Sequence, residues 1–327
     1  MNKSIQFNHY FPTTILFGDN SLEKLHKLKF PGEKALLVIS SESSIRGFNI
    51  LSRVEEKLLI GGINYTIFNS IDSDVNDISV SQGAMMAYKN ECDFIIGLGG
   101  AKAIDTAKAI SVSLFKCHYK KFKLPLWTIP TTSGFGSEVS NICILWQNQL
   151  QKKLYTRNNL LYPDFSLIDP SITRNISTLT SYQHGFIILF KAIDTFLSKD
   201  YSFFCKNIAS TAIKILMKYL PRIVNSGSDL IARTYISYSN IIVSSNNKCR
   251  FHLLEEVYQA TDRVPGVNYG EALLNQSHNY YAEMISRGSY DKDFKEIARI
   301  MDINSSKASD FLVILHDFKE SCRANVI

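Results

Sequence analysis

Apolar and polar residues alternate in blocks along the first half of the chain. Continuous apolar runs with the length of buried strands occupy residues 34–40, 64–71, 93–100 and 124–132. Between these runs apolar residues recur every three to four positions, which predicts helices at 43–62, 77–90 and 103–115. Asp77 is the predicted N-cap of the second helix. Strands that alternate with helices in this rhythm predict a parallel sheet with helices on its faces.

The pattern changes in the second half, from about Ile176 onward. The strand-like runs end, and apolar residues at helical spacing predict helices at 180–198, 203–224, 229–245 and 291–302. A length of 327 residues fits about two domains. We therefore predict an α/β protein with an N-terminal parallel-sheet domain at residues 1–175 and a C-terminal all-helical domain at residues 176–327.

Composition and charge narrow the class of protein. The chain is 45% apolar and 20% charged with a net charge of +6, which is typical of a globular protein. The densest basic stretch, residues 115–123, is interleaved with aromatic residues and fits either a nucleic-acid patch or a solvated loop; we favour the loop and predict no nucleic-acid partner. The chain contains no apolar run of about 18 residues, so no membrane span is predicted.

Cysteine usage bears on the compartment. The six cysteines form no C-x-x-C pair and do not cluster with histidines at zinc-finger spacing. Scattered free thiols indicate a reducing compartment, and the N-terminal residues lack the apolar core of a signal peptide. We therefore expect a cytoplasmic protein.

A glycine-rich turn joins the third strand to the third helix, in the stretch GLGGAKAIDTAK at residues 97–108. Glycines let backbone N–H groups approach an anion closely, and the dipole of a helix favours negative charge at its N-terminus. Taken alone, the turn fits a phosphate site and a simple tight connection equally well.

The segments around this turn carry a family resemblance. GGAKAIDTAK resembles the G-G-G-S/K-x-x-D-x-A-K signature of the iron-containing alcohol dehydrogenase superfamily, with Lys102 as in its glycerol dehydrogenase branch. IPTTSGFGSEVS at residues 129–140 is similar to that superfamily's I-P-T-T-x-G-T-G-S-E, with Phe135 where threonine is usual. Lys153, Pro163 and the Asp-Pro pair at 169–170 are in register with a third motif. The resemblance covers nearly the whole chain.

The resemblance implies a Rossmann-like N-terminal domain that binds NAD or NADP in a cleft, a helical domain that holds a divalent metal, and hydride transfer between nicotinamide and an alcohol or carbonyl substrate. By motif position, the cofactor site is formed by Ser40, Gly99, Gly100, Lys102, Asp105, Lys108, Thr131, Thr132, Ser137 and Lys153. Ser40 stands where many members carry an aspartate that repels a 2′-phosphate, so both NAD and NADP are permitted. Without the resemblance, Asp105 and the two threonines would be interpreted as cap and turn residues.

The metal site is where the pattern breaks. Residues 185–194 align without a gap with the family's G-M-D-A-L-T-H-A-I-E, and its two metal ligands, Asp and His, are replaced by Ile187 and Lys191. Tyr269 replaces a later histidine ligand, whereas the remaining ligand corresponds to His252 or to Glu255. A divalent cation needs several converging anionic or imidazole donors, so we expect no metal at the family site.

Three function classes remain open for such a chain. The first is a metal-independent NAD(P)-dependent oxidoreductase with Lys191 and Tyr269 as catalytic residues and His252 as a proton relay. The second is a catalytically inactive nucleotide-binding or partner subunit, in which the lysine neutralises acidic neighbours and the tyrosine fills volume. The third is non-redox lyase or cyclase chemistry at the same cleft.

Two expectations concern the surroundings of the site. Phe186 and Phe190 are expected to line an apolar substrate pocket. The helical domain is short relative to the family, so a partner subunit is expected to complete the wall of the site. We therefore expect an oligomer that acts on a small molecule or on a substrate delivered by a partner protein.

Overall fold

The computed structural model describes residues 8–40, 49–71, 74–116, 123–198, 203–246 and 251–326. Its first half contains a six-stranded, all-parallel sheet. The strands are β1 (Thr14–Phe17), β2 (Lys34–Ile39), β3 (Asn64–Phe68), β4 (Phe94–Gly99), β5 (Leu126–Pro130) and β8 (Phe165–Ile168). Their order in the sheet is β1-β8-β5-β4-β2-β3. The predicted parallel sheet is confirmed. Cys117, Cys249 and most of the basic stretch 115–123 lie outside the described residues.

Helices cover both faces of the sheet: α1 (Ile50–Ile60), α2 (Asp77–Lys89) and α3 (Ala101–Lys116). Successive side chains of a strand point to opposite faces, so β2 supplies two separate apolar layers. Leu37 and Ile39 belong to the layer that contains α1, whereas Leu36 and Val38 belong to the layer that contains α2 and α3. Burial on both faces explains why these strands are continuously apolar.

The start of α2 differs from the prediction. Asn76, rather than Asp77, is the N-cap, because its side-chain Oδ1 accepts the Ser79 N–H at 2.8 Å. Asp77 is the first helical residue and instead accepts from the Asn148 side-chain amide at 2.5 Å. Both residue types cap helices well, so the sequence pattern did not separate adjacent candidates.

An antiparallel hairpin stands apart from the main sheet, and the apolar pattern did not predict it. It consists of β6 (Ile142–Gln147) and β7 (Lys152–Arg157). The second strand, KKLYTR, is largely polar and has no apolar run, so its sequence does not predict a strand. The hairpin lies between the sheet and the helices and forms part of the cavity described below.

The second half of the described chain is helical. Its helices are α4 (Thr178–Leu197), α5 (Phe203–Asn225), α6 (Leu230–Ser244), α7 (His252–Ala260), α8 (Tyr269–Ser286), α9 (Asp291–Met301) and α10 (Asp310–Arg323). In α4 every residue from Gly185 to Leu197 is buried, which makes this helix the centre of one large apolar cluster. None of the helices in the described ranges is long and apolar enough to cross a bilayer.

Candidate active site

A cavity of about 220 Å³ lies between the first turn of α3, the hairpin and the helices α4, α7 and α8. Lys102, Asp105, Ser137 and Lys153, all predicted cofactor residues, line it. Lys191 and Tyr269, the predicted catalytic residues, line it as well. Phe186 and Phe190 do not: they are buried among the helices, because α4 is enclosed on all its sides and its aromatic residues pack in the core.

The glycine turn lies at the carboxyl end of the sheet. Gly99 ends β4 with φ at +144°, a conformation that side chains disfavour, and α3 begins at Ala101. A Cβ on Gly100 would lie 3.4 Å from the hydroxyl oxygen of Thr132, so the chain passes close to its neighbour here. Backbone N–H groups at the start of α3 and an open glycine turn suit a phosphate.

Two buried hydroxyl groups flank this turn without hydrogen-bond partners among the described residues. They belong to Ser40, which follows β2, and Thr131, which follows β5. Since β2 and β5 are the neighbours of β4 in the sheet, both hydroxyls lie beside the glycine turn. Buried hydroxyls are normally hydrogen-bonded, so this edge fits a polar ligand such as a dinucleotide.

Asp105 and Lys108 form a buried pair on α3 with 3.6 Å between Oδ1 and Nζ. The ammonium of Lys108 donates to the Ile142 carbonyl at 2.9 Å, and Asp105 Oδ2 accepts the Ile144 N–H at 3.3 Å. Burial lowers the pKa of Lys108 and raises that of Asp105, and their attraction opposes both shifts. Lys108 therefore connects α3 to the hairpin by a hydrogen bond. It was predicted to form part of the cofactor site, but it does not line the cavity.

Lys191 is a buried ammonium group at the inner end of the cavity. Its Nζ donates to the Phe135 carbonyl at 2.8 Å and to Ser244 Oγ at 2.5 Å, and lies 4.8 Å from the centroid of the Phe251 ring. A glycine is required at position 136, where φ is +72° and a Cβ would lie 2.0 Å from Ser244 Oγ. The loop after β5 therefore forms one side of the lysine site.

A hydrogen-bonded chain connects Lys191 with a buried acid. Ser244 Oγ donates to Asn240 Oδ1 at 3.4 Å, and the Asn240 amide donates to Glu138 Oε1 at 2.8 Å. Burial raises the pKa of Glu138, and the positive charge of Lys191 counteracts that rise. Ser244 and Asn240 come from α6, which the sequence analysis did not connect with the site.

Tyr269 begins α8, and its hydroxyl is buried without a hydrogen-bond partner among the described residues. The ammonium of Lys153 lies 4.8 Å from the centroid of its ring, and the Tyr258 ring packs edge-on at 4.4 Å. Burial raises the pKa of Tyr269 above its ordinary value, so the phenol stays protonated at neutral pH. Lys191 and Tyr269 thus line one cavity but are not joined by the direct hydrogen bond that a coupled pair would form.

His252 is not at the site, contrary to the prediction. It is exposed as the first residue of α7 and does not line the cavity, whereas its neighbour Phe251 does. The Leu253 N–H donates to the buried Asp194 Oδ2 at 2.9 Å, which fixes the start of α7 with His252 turned outward. Glu255, the competing residue, pairs with Arg157 at 3.7 Å at a neighbouring cavity beside the hairpin.

His184 is a further residue that lines the cavity, and the family motifs do not single it out. Its ring packs against Gly134 and lies 5.6 Å from the Phe135 ring, edge to face. Burial lowers its pKa to about 4, so the imidazole is neutral at physiological pH. Its spacing from Ile187 and Lys191, three and seven residues, places it on the same helix face, and that signal was available in the sequence.

The donor set at the family's metal position does not fit a divalent cation. Ile187 is buried and has no donor atom, and Lys191 carries a positive charge. In the part of the chain that the structure describes, no three His, Cys, Asp or Glu side chains come together.

Comparisons with known proteins agree with the motifs. The family model for iron-containing alcohol dehydrogenase matches residues 12–170. The chain is 31% identical over 227 residues to 1-propanol dehydrogenase PduQ of Citrobacter freundii, covering 68% of this chain and 58% of that protein. It is 23% identical to the NAD-dependent methanol dehydrogenase of Bacillus methanolicus over 73% of this chain and 66% of that protein. The chain thus spans less than two thirds of the length of these curated relatives.

Solved structures show the same fold. An archaeal halo-thermophilic Red Sea brine pool alcohol dehydrogenase superposes with a TM-score of 0.87 at 20% identity, covering 98% of this chain and 88% of that chain. The NADH-dependent butanol dehydrogenase A of Thermotoga maritima gives a TM-score of 0.84 at 18% identity over 98% and 84%. The family model, the relatives and the two-part architecture point the same way: the chain belongs to the iron-containing alcohol dehydrogenase superfamily.

Proposed function

We propose that this protein is an NAD(P)-dependent oxidoreductase that interconverts an alcohol and a carbonyl compound without a metal. The glycine turn supports nucleotide binding, as do the hydroxyls of Ser40 and Thr131, which are buried and have no hydrogen-bond partner within the described ranges. The names of the relatives, a 1-propanol dehydrogenase and an NAD-dependent methanol dehydrogenase, support small alcohols as the substrate class. Ser40 is uncharged, so either NAD or NADP is accommodated.

The observation that carries the proposal is the buried ammonium of Lys191, which lines the cavity at the position of a family metal ligand. A fixed cation in a site shielded from water stabilises negative charge on a substrate oxygen, which is one role of a Lewis-acidic metal. The neutral phenol of Tyr269 is the proton donor in carbonyl reduction, the direction in which its protonated form is the reactive one. A bound nicotinamide would supply the hydride exchange with the substrate carbon. His252 has no part in this mechanism because it is exposed on the far side of α7.

The test combines metal analysis, cofactor titration and turnover of the same sample. We expect saturable binding of NADH or NADPH, substoichiometric zinc and iron, and aldehyde reduction that continues in the presence of a chelator. Stoichiometric metal, or activity that a chelator removes and a metal restores, would contradict the proposal.

A second candidate, a catalytically inactive partner subunit, is supported by one feature of the cavity. Lys191 donates to two protein acceptors, and the Tyr269 hydroxyl makes no hydrogen bond to it, as expected if the lysine only replaces a lost cation. Nucleotide binding with no turnover across a panel of short and long aldehydes would favour this candidate. Non-redox chemistry at the cleft is the third candidate function. The oligomeric state expected from the sequence stays a prediction.

A further inference from the structure

The segment of residues 261–268 joins α7 to α8 and forms part of the cavity wall. Gly266, Val267 and Asn268 line the cavity, and Tyr269 follows directly as the first residue of α8. Most of this loop, including Arg263, is exposed to solvent. Contacts on the cavity side therefore have to fix the position of the loop. Because Tyr269 follows the loop directly, the position of the loop decides where the Tyr269 ring lies.

Three backbone groups of the loop are bound by residues of the first half of the chain. The Lys153 N–H donates to the Asp262 carbonyl at 2.7 Å, and Lys153 Nζ donates to the Val264 carbonyl at 2.8 Å. The Gly266 N–H donates to Asp74 Oδ2 at 2.7 Å. Asp74 precedes α2 and Lys153 lies on β7, so the loop is held across the cavity from two separate elements.

The two side chains also act on each other and on Tyr269. Asp74 Oδ1 lies 3.8 Å from Lys153 Nζ, and these side chains are 19% and 4% exposed. The same ammonium lies 4.8 Å from the centroid of the Tyr269 ring. Burial lowers the pKa of Lys153 and Asp74 opposes that shift, so the carboxylate favours the charged form that the carbonyl and the ring bind.

We propose that Asp74 and Lys153 are positioning residues that hold the 261–268 loop against the sheet domain and thereby fix Tyr269 in the cavity. The catalytic consequence rests on the proposed function, because it requires Tyr269 to transfer the proton. The positioning of the loop by these two side chains does not depend on the proposed function.

Limited proteolysis with trypsin tests the hold on the loop directly, because Arg263 provides an exposed cleavage site within it. The variants are Asp74→Ala and Lys153→Met, with Asp77→Ala and Lys152→Met as matched controls from the same segments that make none of these loop contacts. Cleavage is followed by mass spectrometry of the fragment that begins at Val264. Losing a charge-assisted hydrogen bond is expected to raise the open population, and the cleavage rate with it, about tenfold. Cleavage of both variants at the rate of their controls would overturn the proposal.

Turnover tests the consequence for Tyr269. In Asp74→Ala we expect a tenfold or larger loss of kcat with an unchanged Kd for NAD(P)H, and recovery in Asp74→Glu. Faster cleavage with unchanged kcat would mean that the loop is held but does not position a catalytic tyrosine, which overturns that half of the proposal. A wild-type protein that binds nucleotide but turns over no substrate removes the proposed function, and the cleavage rates still decide whether Asp74 and Lys153 hold the loop.

Discussion

Lys191 is a charged side chain with only 2% of its surface exposed, at a position where a relative would place a metal ligand. Burying an ammonium is costly unless acceptors surround it, and the Phe135 carbonyl, Ser244 Oγ and the Phe251 ring do so. Gly136 keeps the space that this arrangement needs. The residue-level surroundings thus maintain a positive charge inside the cavity.

Replacing Lys191 and Tyr269 tests their proposed roles. In Lys191→Met and Tyr269→Phe we expect kcat to fall about a hundredfold each, with little change in the Kd for NAD(P)H, since proton-transfer groups typically contribute that much. Tyr280→Phe, at a half-buried phenol of the same helix outside the cavity lining, is the matched control. The double variant should lose much less than the product of the single losses. Two fully additive effects would show that the residues do not act as one unit.

His184 predicts a loss of stability in acid. Its pKa is about 4 in the folded protein against 6.5 ordinarily, so between these values the unfolded chain binds the proton and the folded chain does not. Stability from this residue is present above pH 6.5 and is lost as the pH falls toward 4, by at most about 3 kcal/mol. Between pH 7 and pH 5, urea unfolding of the wild type should show about 2 kcal/mol of this loss, and His184→Gln should not show it. The control variant His252→Gln, at an exposed histidine, should behave as wild type. If the free energy of unfolding of His184→Gln depended on pH as steeply as that of the wild type, the prediction would be wrong.

At the scale of elements, Asp194 joins helices that are distant in sequence. From α4, its Oδ2 accepts the Leu253 N–H of α7 at 2.9 Å and its Oδ1 accepts the Tyr281 hydroxyl of α8 at 3.3 Å. Burial raises its pKa to about 8, so the neutral carboxyl is favoured. The same contact turns His252 away from the cavity, which explains why a histidine next to the site is not part of it.

Substitutions at Asp194 separate its hydrogen bonds from its charge. Asp194→Asn keeps a hydrogen-bonding amide and should be at least as stable as wild type, whereas Asp194→Leu should lose about 2 kcal/mol because a helix N–H and a buried phenol lose their partner. In the wild type, stability from this group is greatest below the unfolded pKa of 3.8 and falls as the pH rises toward 8. Denaturant unfolding at pH 6 and pH 9 checks both points. If Asp194→Asn lost as much stability between pH 6 and pH 9 as the wild type, the alkaline loss of stability would not come from Asp194.

At the scale of the whole molecule, the cavity lies where the carboxyl ends of the parallel strands face the helices. This edge of an open parallel sheet is where α/β proteins place ligands. Ser40, Gly99 and Thr131 come from three adjacent strand ends beside the cavity without lining it, whereas Lys191 and Tyr269 line it from the helices. A nucleotide bound here would contact both halves of the chain.

Nucleotide binding should therefore stabilise the whole fold. At a hundredfold excess over Kd, NADH or NADPH is expected to add about 2.7 kcal/mol to the free energy of unfolding, seen as a rise in the thermal midpoint. Gly99→Val, which places a branched side chain at a φ of +144°, should lose this shift. The variant's own midpoint without nucleotide serves as its reference. A full ligand-induced shift in Gly99→Val would place the nucleotide elsewhere.

The sequence alone determined the alternating strands and helices, the glycine turn and the family, because these depend on local periodicity and on motifs of contiguous residues. By resemblance to the family motif, it also predicted that Ile187 and Lys191 stand at positions of metal ligands. Only the tertiary structure decided what surrounds them: Lys191 binds Ser244, 53 residues away, and Lys153 binds Val264, 111 residues away. Periodicity shows which face of a helix is apolar but not which element packs against it. On α4, which is buried on every face from Gly185 to Leu197, it therefore assigned Phe186 and Phe190 to a pocket that they do not line. The outward turn of His252 likewise follows from a hydrogen bond to Asp194, a contact across 59 residues that no local pattern encodes.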